Sequence, residues 1–238
     1  MSKKCDRRFT AHDFMVDLVE ADFNILPILS RFSIPLGFGT KSIEEVCGES
    51  RINCDVFLLI VNFIMTGSLD SGELSPESLE GVVDFLHKSH DYFLVYKFPH
   101  IRANLVSALD AAHSDINPAI VNFFDVYVNE VKKHFDYEES TVFPYIRSLV
   151  RSEDSSKFKI DIFRKHHDEM GEKLADLKNL ILRFYTTSMP DRMYDVLVDV
   201  FNCEEDLNTH RDIENHLLVP ATALLEKRVR KSQTNSRK

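Results

Sequence analysis

This sequence carries one short pattern twice: His134-Phe-Asp-Tyr-Glu138 and His210-Arg-Asp-Ile-Glu214. Each copy is followed, six residues after its Glu, by a proline, Pro144 or Pro220. Residues four positions apart lie on one face of an α-helix, so each copy predicts a helix that presents an imidazole and a carboxylate together. A proline late in such a helix is expected to kink or end it.

Each copy is preceded by another histidine at nearly the same distance. His90 lies 44 residues before His134, and His167 lies 43 residues before His210. If a short turn lies midway between the members of each pair, both lie about 20 residues from it. At a rise of about 1.5 Å per residue they then reach the same depth on antiparallel neighbours. The spacing therefore predicts one site at one level of four helices.

The predicted site combines four imidazoles with two carboxylates. Neutral imidazole suits iron, copper, nickel or zinc, and a carboxylate can bridge two hard ions. Two bridging glutamates and two histidines per ion leave coordination positions for an oxo bridge or a small molecule. The six predicted metal ligands are His90, His134, Glu138, His167, His210 and Glu214.

Other histidines lack a partner in the repeat. For four of them an ordinary surface or half-buried role is expected: His87, His100, His166 and His216. His113 falls at the predicted turn after the first bundle helix, roughly 30 Å from the level of His90 at helical rise. It is therefore left out of the ligand set, and its role stays open.

The composition limits the class of protein. A formal net charge of -9 argues against nucleic-acid binding, which needs a clustered basic surface. The four cysteines form no C-x-x-C pair, so neither a zinc ribbon nor a disulfide framework is indicated. No apolar stretch of signal-peptide kind follows the N-terminus, and the most apolar run, residues 56–65, is too short to cross a bilayer. We therefore expect a cytoplasmic protein that binds neither nucleic acid nor membranes.

Turn-forming residues divide the chain, and the fold class is predicted to be all-α. Long runs with helical periodicity, 7 glycines, no tryptophan and no extended strand alternation all favour helices. The predicted parts are a small N-terminal helical domain at 1–66, a linker at 67–77, an antiparallel four-helix bundle at 78–227 and a basic disordered tail at 228–238. The predicted bundle helices lie near 77–110, 118–149, 158–184 and 191–227.

Local signals place several helix ends. Ser75-Pro76 and Asn117-Pro118 each pair an N-cap residue with proline at the first helical position. Ser42-Ile-Glu-Glu45 predicts a capping box. In the N-terminal domain, a helix over residues 11–30 is predicted to be broken at Pro27.

The metal motifs resemble the hemerythrin-like HHE domain, in the version found in the RIC family of iron–sulfur cluster repair proteins. The segments that carry the resemblance are His90-Asp-Tyr, Pro99, His113, the two His-x-x-x-Glu copies, His167-Asp-Glu-Met-Gly171 and the leading stretch from Ser33 to Cys47. The resemblance implies two non-haem iron ions, oxo- or hydroxo-bridged, held by the six residues above. It also implies helical folds for both domains.

The resemblance further implies a role in nitrosative or oxidative stress. Such a protein supports the repair of damaged iron–sulfur clusters, as an iron donor or by handling NO, with iron–sulfur proteins as clients and NO and O2 as small ligands. The sequence leaves open whether the chain forms a homodimer.

Two departures from these families bear on function. The repair family carries two adjacent cysteines where this chain has Gly37-Phe38, so a transfer of iron or NO through thiols of that loop is not expected. Oxygen-carrying hemerythrins use His-x4-Asp on the last helix and His-x3-His on the third, whereas here Gly171 stands four residues after His167. Reversible oxygen storage is therefore less favoured than redox chemistry or a stress response.

Three hypotheses follow. The first is a di-iron stress protein that supports cluster repair, as iron donor or as an NO-reducing enzyme. The second is a hemerythrin-like module that senses O2, NO or iron without turnover. The third is a helical interaction protein without metal, in which replacing His134, Glu138, His210 and Glu214 together changes neither folding nor phenotype.

Overall fold

The computed structural model describes residues 7–68, 74–152, 158–166, 172–188 and 190–236. Within these ranges all regular elements are helical, and one isolated antiparallel bridge pairs Phe14 with Ser42. The all-α prediction is therefore confirmed. No described helix is long and apolar enough to cross a membrane.

Contacts within the chain divide it into two compact units. One comprises Met1–Ser89, Leu149–Glu153 and Ile213–Lys238, and the other comprises His90–Ser148 and Asp154–Asp212. The domain limits predicted from sequence follow chain order and stay a prediction.

Short helices form the N-terminal part of the first unit. They are α1 (Met15–Ala21), α2 (Leu26–Arg31), α3 (Ile43–Glu49) and α4 (Cys54–Thr66), with a 3-10 turn at Phe23–Ile25. The capping box is confirmed, because the Ser42 hydroxyl accepts from Glu45 N while the Glu45 carboxylate accepts from Ser42 N. The predicted break at Pro27 is wrong. Pro27 is the second residue of α2, where its missing N–H costs nothing, and the chain breaks earlier, at Asp22.

Aromatic side chains form the core of this unit. The ring of Phe32 packs against Phe57 at a centroid distance of 5.2 Å and against Phe85 at 5.0 Å. The backbone at Gly81 lies close to the side chain of Val56, because a Cβ atom at Gly81 would lie 2.7 Å from a methyl carbon of Val56. Packing at this point requires the smallest residue.

The other described residues form a further series of helices. They are α5 (Pro76–Asp91), α6 (Phe98–Ala108), α7 (Asn117–Tyr137), α8 (Phe143–Val150), α9 (Ile160–His166), α10 (Glu172–Phe184), α11 (Pro190–Ile213) and α12 (Val219–Ser236). The predicted helix 158–184 corresponds to α9 and α10, and the residues between them lie outside the described part. α12 continues to Ser236, into the segment predicted to be a disordered tail, and a pair of Glu226 with Arg230 supports that continuation.

Three π-helical turns link successive helices without ending them. They span Tyr92–Lys97, Glu138–Val142 and Glu214–Leu218, and each ends two residues before a proline: Pro99, Pro144 and Pro220. A proline in an α-helix removes one N–H and clashes with the carbonyl four residues earlier. A π turn carries the chain through that clash because it widens the helix locally. Pro144 and Pro220 are predicted to kink or end their helices, and a π turn interrupts the α-helix before each of them, after which α8 and α12 continue.

The bundle in the second unit has a continuous apolar core. Its largest buried side chains are Phe93, Phe98, Phe124, Phe135 and Tyr127. Burial raises the pKa of the Tyr127 phenol far above its usual range, so this side chain stays neutral. Aromatic side chains of this size contribute much of the apolar surface that a helical core buries.

Polar side chains hold the loops at one end of this bundle. The Tyr185 hydroxyl donates to the Asn117 side chain and accepts from Asp110 N, and the Asn117 amide donates to Asp110 O. Asn117 was predicted to be an N-cap, but it is the first residue of α7 and makes no cap bond. Its side chain bonds across the loop instead.

Candidate metal centre

The site begins with a contact between the His and the Glu of the first copy. His134 lies in the last turn of α7, and Glu138 is the first residue of the π turn that follows. His134 Nε2 lies 2.5 Å from Glu138 Oε1, as the spacing of four residues predicts. The Glu138 side chain is fully buried, whereas that of His134 retains 13% exposure.

A histidine from another helix contacts the same carboxylate. His90, in the last turn of α5, places Nε2 2.9 Å from Glu138 Oε2. Glu138 therefore lies between two imidazoles, one on each oxygen. A carboxylate in this position can hold one ion or bridge two.

The second copy brings a further pair to this point. His90, Glu138, His210 and Glu214 each offer a ligand atom, and these four atoms all lie within 4.8 Å of one another. Their exposed fractions are 3%, 0%, 2% and 0%. Burying so many ionisable groups together is costly unless charge partners or a metal compensate them. Among the described residues, this is the group of His, Cys, Asp and Glu side chains that could hold a metal ion.

Aromatic rings surround these polar atoms. The imidazole of His90 stacks on Phe135 at 4.0 Å between centroids and lies 5.4 Å from Phe143. His210 lies 5.4 Å from Phe135 and 6.1 Å from Phe93. An apolar shell of this kind limits the access of water and strengthens electrostatic interactions inside the site.

Glu139 orients His90 from the other side of its ring. Glu139 Oε1 lies 2.7 Å from His90 Nδ1, and the Glu139 side chain is 33% exposed. An ionised carboxylate only accepts hydrogen bonds, so the imidazole proton belongs on Nδ1. The lone pair of Nε2 then points toward Glu138, which is the tautomer that metal binding requires. Glu139 is absent from the predicted site residues, although an acidic residue directly after a His-x-x-x-Glu pattern was the available signal.

The structure brings together five of the six predicted ligands. Four form the group above, and His134 contacts Glu138 and lies near the ring of Phe163, at a centroid distance of 6.3 Å. His167 lies outside the described residues. The assignment of all six as metal ligands stays a prediction.

The other histidines with described side chains lie outside this group. His113 ends a 3-10 turn, where its Nε2 lies 3.3 Å from the Thr186 hydroxyl and its ring lies 5.3 Å from that of Tyr185. His87, His100 and His216 have exposed side chains. His113 therefore has a place in the loop end of the bundle, outside the group of candidate ligands.

The donor set fits iron. Imidazole nitrogen together with carboxylate oxygen is the combination found in non-haem iron sites, and all these donors converge on one buried point. The two His-x-x-x-Glu copies on facing helices also correspond to the general plan of carboxylate sites in helical bundles.

The part of the chain that contains the candidate ligands matches a known protein family. Residues 81–222 match the model described as the hemerythrin HHE cation binding domain. The chain belongs to the hemerythrin HHE family. The match covers more than half of the chain and includes all six predicted ligands. Among curated proteins, no sequence matches it.

Membership of the HHE family makes the buried His/Glu group a cation site that fits non-haem iron. The family description and the donor chemistry together support metal binding and disfavour the metal-free interaction protein. The number of ions and the bridge between them belong to the proposal that follows.

Proposed function

We propose that this HHE protein is a non-haem di-iron protein of the nitrosative and oxidative stress response, and that it supports the repair of damaged iron–sulfur clusters. The observation that carries the proposal is the buried group of His90, Glu138, His210 and Glu214 inside the matched domain. His134 and the predicted ligand His167 complete a set of two histidines for each iron. Glu138 and Glu214 are the proposed bridges.

Bound iron would supply coordination positions for a small gas and one-electron redox chemistry. The protein's part is to position and shield the ions. Glu139 holds the proton of His90 on Nδ1, and the rings of Phe135 and Phe143 keep bulk water from this imidazole. His134 and Glu139 are the more exposed members of the site, so they define the side from which a proton can arrive.

Burial of the site favours gas handling over direct iron donation. The four grouped side chains are at most 3% exposed, so a client protein would have to open the bundle to reach an ion they hold. A diatomic molecule such as NO needs far less space. We therefore propose NO as the primary ligand, with O2 as the competing small ligand and iron–sulfur proteins as the beneficiaries.

Gas handling can be tested by adding NO to the iron-loaded protein without oxygen. We expect a change in the iron absorption spectrum together with consumption of NO when electrons are supplied. The variant Glu138→Gln should lose both, whereas Asp136→Asn, which removes an exposed carboxylate of the same helix, should keep both. A spectrum that does not respond to NO would refute the proposal.

The second candidate is a sensor that binds gas without turnover. Gly37-Phe38 favours it, because the resemblance places a thiol pair there in repair proteins and this chain has none at those positions. A spectrum that responds to NO without NO consumption, combined with failure to restore activity to an NO-damaged iron–sulfur enzyme, would select the sensor.

A further inference from the structure

A continuous series of aromatic rings runs from a candidate metal ligand to the surface of the second unit. The ring of Phe93 lies 6.1 Å from that of His210, and the ring of Tyr92 lies 5.5 Å from that of Phe93. Tyr96 comes next, with its ring 5.6 Å from that of Tyr92. Phe93 is fully buried, Tyr92 is half-buried and Tyr96 is 60% exposed. The series therefore leads from His210 to solvent through ring contacts of ordinary aromatic geometry.

The first π turn, Tyr92–Lys97, produces this arrangement. It begins two residues after His90, another candidate ligand. Phe93 is part of the bundle core, and Tyr92 packs at the edge of that core. Tyr92 and Tyr96 are four residues apart, so their side chains are neighbours on one side of the turn. The turn therefore directs one ring inward to the site and two rings outward.

Polar contacts hold this turn against α11, the helix that carries His210. Lys97 Nζ lies 2.9 Å from Asp199 Oδ1, and the Asn104 side chain donates to Asp199 Oδ2 at 3.3 Å. Asp199 and His210 both belong to α11. Because Lys97 is the last residue of the π turn, these contacts fix the distance between the turn and the candidate ligand.

A tyrosine at the surface end of the series has a chemical consequence. Tyrosine can lose an electron together with its hydroxyl proton and become a neutral phenoxyl radical, whereas phenylalanine has no such proton. Phe93 also leads inward, because its ring lies 5.9 Å from Phe98, whose ring lies 6.1 Å from Tyr127. Tyr127 is only 4% exposed, so water has little access to its hydroxyl. Tyr96 is the tyrosine of the series that can release its proton directly to solvent.

We propose that Tyr92 and Tyr96 form a tyrosine relay, which carries oxidising equivalents from the metal centre to the surface when hydrogen peroxide is the oxidant. The relay rests on the proposed binding of iron by the buried His/Glu group, and it extends the proposed role in oxidative stress. Phe93 provides the contact across which the electron passes to the site. The relay spares the buried ligands from oxidation, because the radical is formed at the surface instead.

The electrons and protons balance as follows. Hydrogen peroxide accepts two electrons and two protons and becomes two water molecules, with cleavage of its O–O bond. One electron comes from an iron ion, which goes from Fe(II) to Fe(III). The other comes from Tyr96 by way of Tyr92. Tyr96 gives its hydroxyl proton to solvent and is left as a phenoxyl radical.

The relay can be tested on the full chain loaded with Fe(II) without oxygen and treated with an equimolar amount of hydrogen peroxide in the presence of a spin trap. Peptide mass analysis then locates the trapped radical. Tyr194 is the internal control, because it is 62% exposed and lies outside the series of rings. We expect iron-dependent labelling of Tyr96 and far less labelling of Tyr194. Hydroxyl radicals free in solution would label both tyrosines alike.

Two variants separate the relay from simple exposure. Tyr92→Phe keeps the ring but removes the hydroxyl, and it leaves Tyr96 at the surface. Labelling of Tyr96 should therefore fall to the level of Tyr194. The matched control Tyr194→Phe should leave the labelling of Tyr96 unchanged. Circular dichroism and iron content establish that both variants are folded and loaded.

The outcomes distinguish the relay from the iron centre on which it rests. The relay alone is overturned if the iron-loaded protein leaves Tyr96 unlabelled, labels Tyr194 as strongly, or keeps the Tyr96 label in Tyr92→Phe. Labelling of Tyr96 that does not require iron also overturns it. A folded protein that binds no iron overturns the iron centre and the relay together.

Discussion

Glu138 contacts two of the other predicted ligands, so replacing it gives the sharpest prediction. Its two carboxylate oxygens contact His134 and His90 at 2.5 and 2.9 Å, and its side chain is fully buried. Glu138→Gln keeps the size of the side chain but removes its charge. We expect the bundle to fold and the affinity for Fe(II) to fall by at least about 100-fold, because loss of an outer-sphere partner alone costs about 10–100-fold.

The magnitude follows from mass action. At a free Fe(II) concentration about 1,000 times the dissociation constant, binding stabilises the original protein by about 4.1 kcal/mol. At the same concentration, a 100-fold weaker site contributes about 1.4 kcal/mol. For a chain of this length 1 kcal/mol corresponds to about 2–4 °C, so Fe(II) should raise Tm by about 8–16 °C in the original protein and by about 3–6 °C in Glu138→Gln.

Thermal unfolding followed by circular dichroism, without oxygen and with or without Fe(II), measures both shifts. Asp136→Asn is the matched control, because Asp136 is an exposed carboxylate of the same helix, paired only at the surface with Lys132. Its Fe(II)-induced shift should equal that of the original protein. The reasoning is refuted if Glu138→Gln keeps the full shift, or if Asp136→Asn loses as much.

Four further substitutions give three more predictions. Glu139→Gln should weaken metal binding by about 10–100-fold in a metal titration, because it no longer holds the His90 tautomer as firmly; unchanged affinity would contradict this role. Gly81→Ala should lower the free energy of unfolding by about 1–3 kcal/mol through the clash with Val56, whereas Gly48→Ala, with open space around its Cβ, should raise it by about 0.4–1 kcal/mol in denaturant unfolding. Hydrogen bonds from the Ser188 hydroxyl and from backbone N–H groups lower the pKa of Asp110 from 3.8 to about 2. The ionised Asp110 carboxylate therefore stabilises the fold above pH 3.8, and this contribution is lost as the pH falls toward 2. Asp110→Asn should therefore flatten the acid limb of a stability–pH curve, and an unchanged limb would speak against this bond network.

Much of the fold could be predicted because local signals and periodicity agreed. The capping box at Ser42 and the proline at the start of α5 mark helix ends that short-range hydrogen bonds determine. A kink or an end could be expected at the prolines inside the long helices, because proline lacks the N–H and clashes with the preceding turn. The π turns that accommodate Pro144 and Pro220 depend on tertiary packing, which sequence spacing does not reveal.

The candidate site could be predicted at the level of residue pairs. A spacing of four residues places the side chains of His134 and Glu138 side by side in any α-helix. The similar distance from each copy to its upstream histidine predicted that the two copies lie at one level of the bundle. The position of Glu139 against His90 could not be predicted, because it depends on how two helices are rotated against each other. The turn that ends α3 depends on a left-handed residue at Arg51, and non-glycine residues rarely adopt that conformation.

The buried His/Glu group of the HHE domain fits non-haem iron, and we propose that this domain holds two iron ions. The most direct test is the metal content of the purified protein, together with its ultraviolet–visible spectrum before and after addition of NO. We expect two irons per chain, an absorption typical of a bridged di-iron centre and a spectral change when NO is added. A folded protein that retains no iron after reconstitution, or whose iron stays bound when Glu138 and Glu214 are both replaced by Gln, would contradict it.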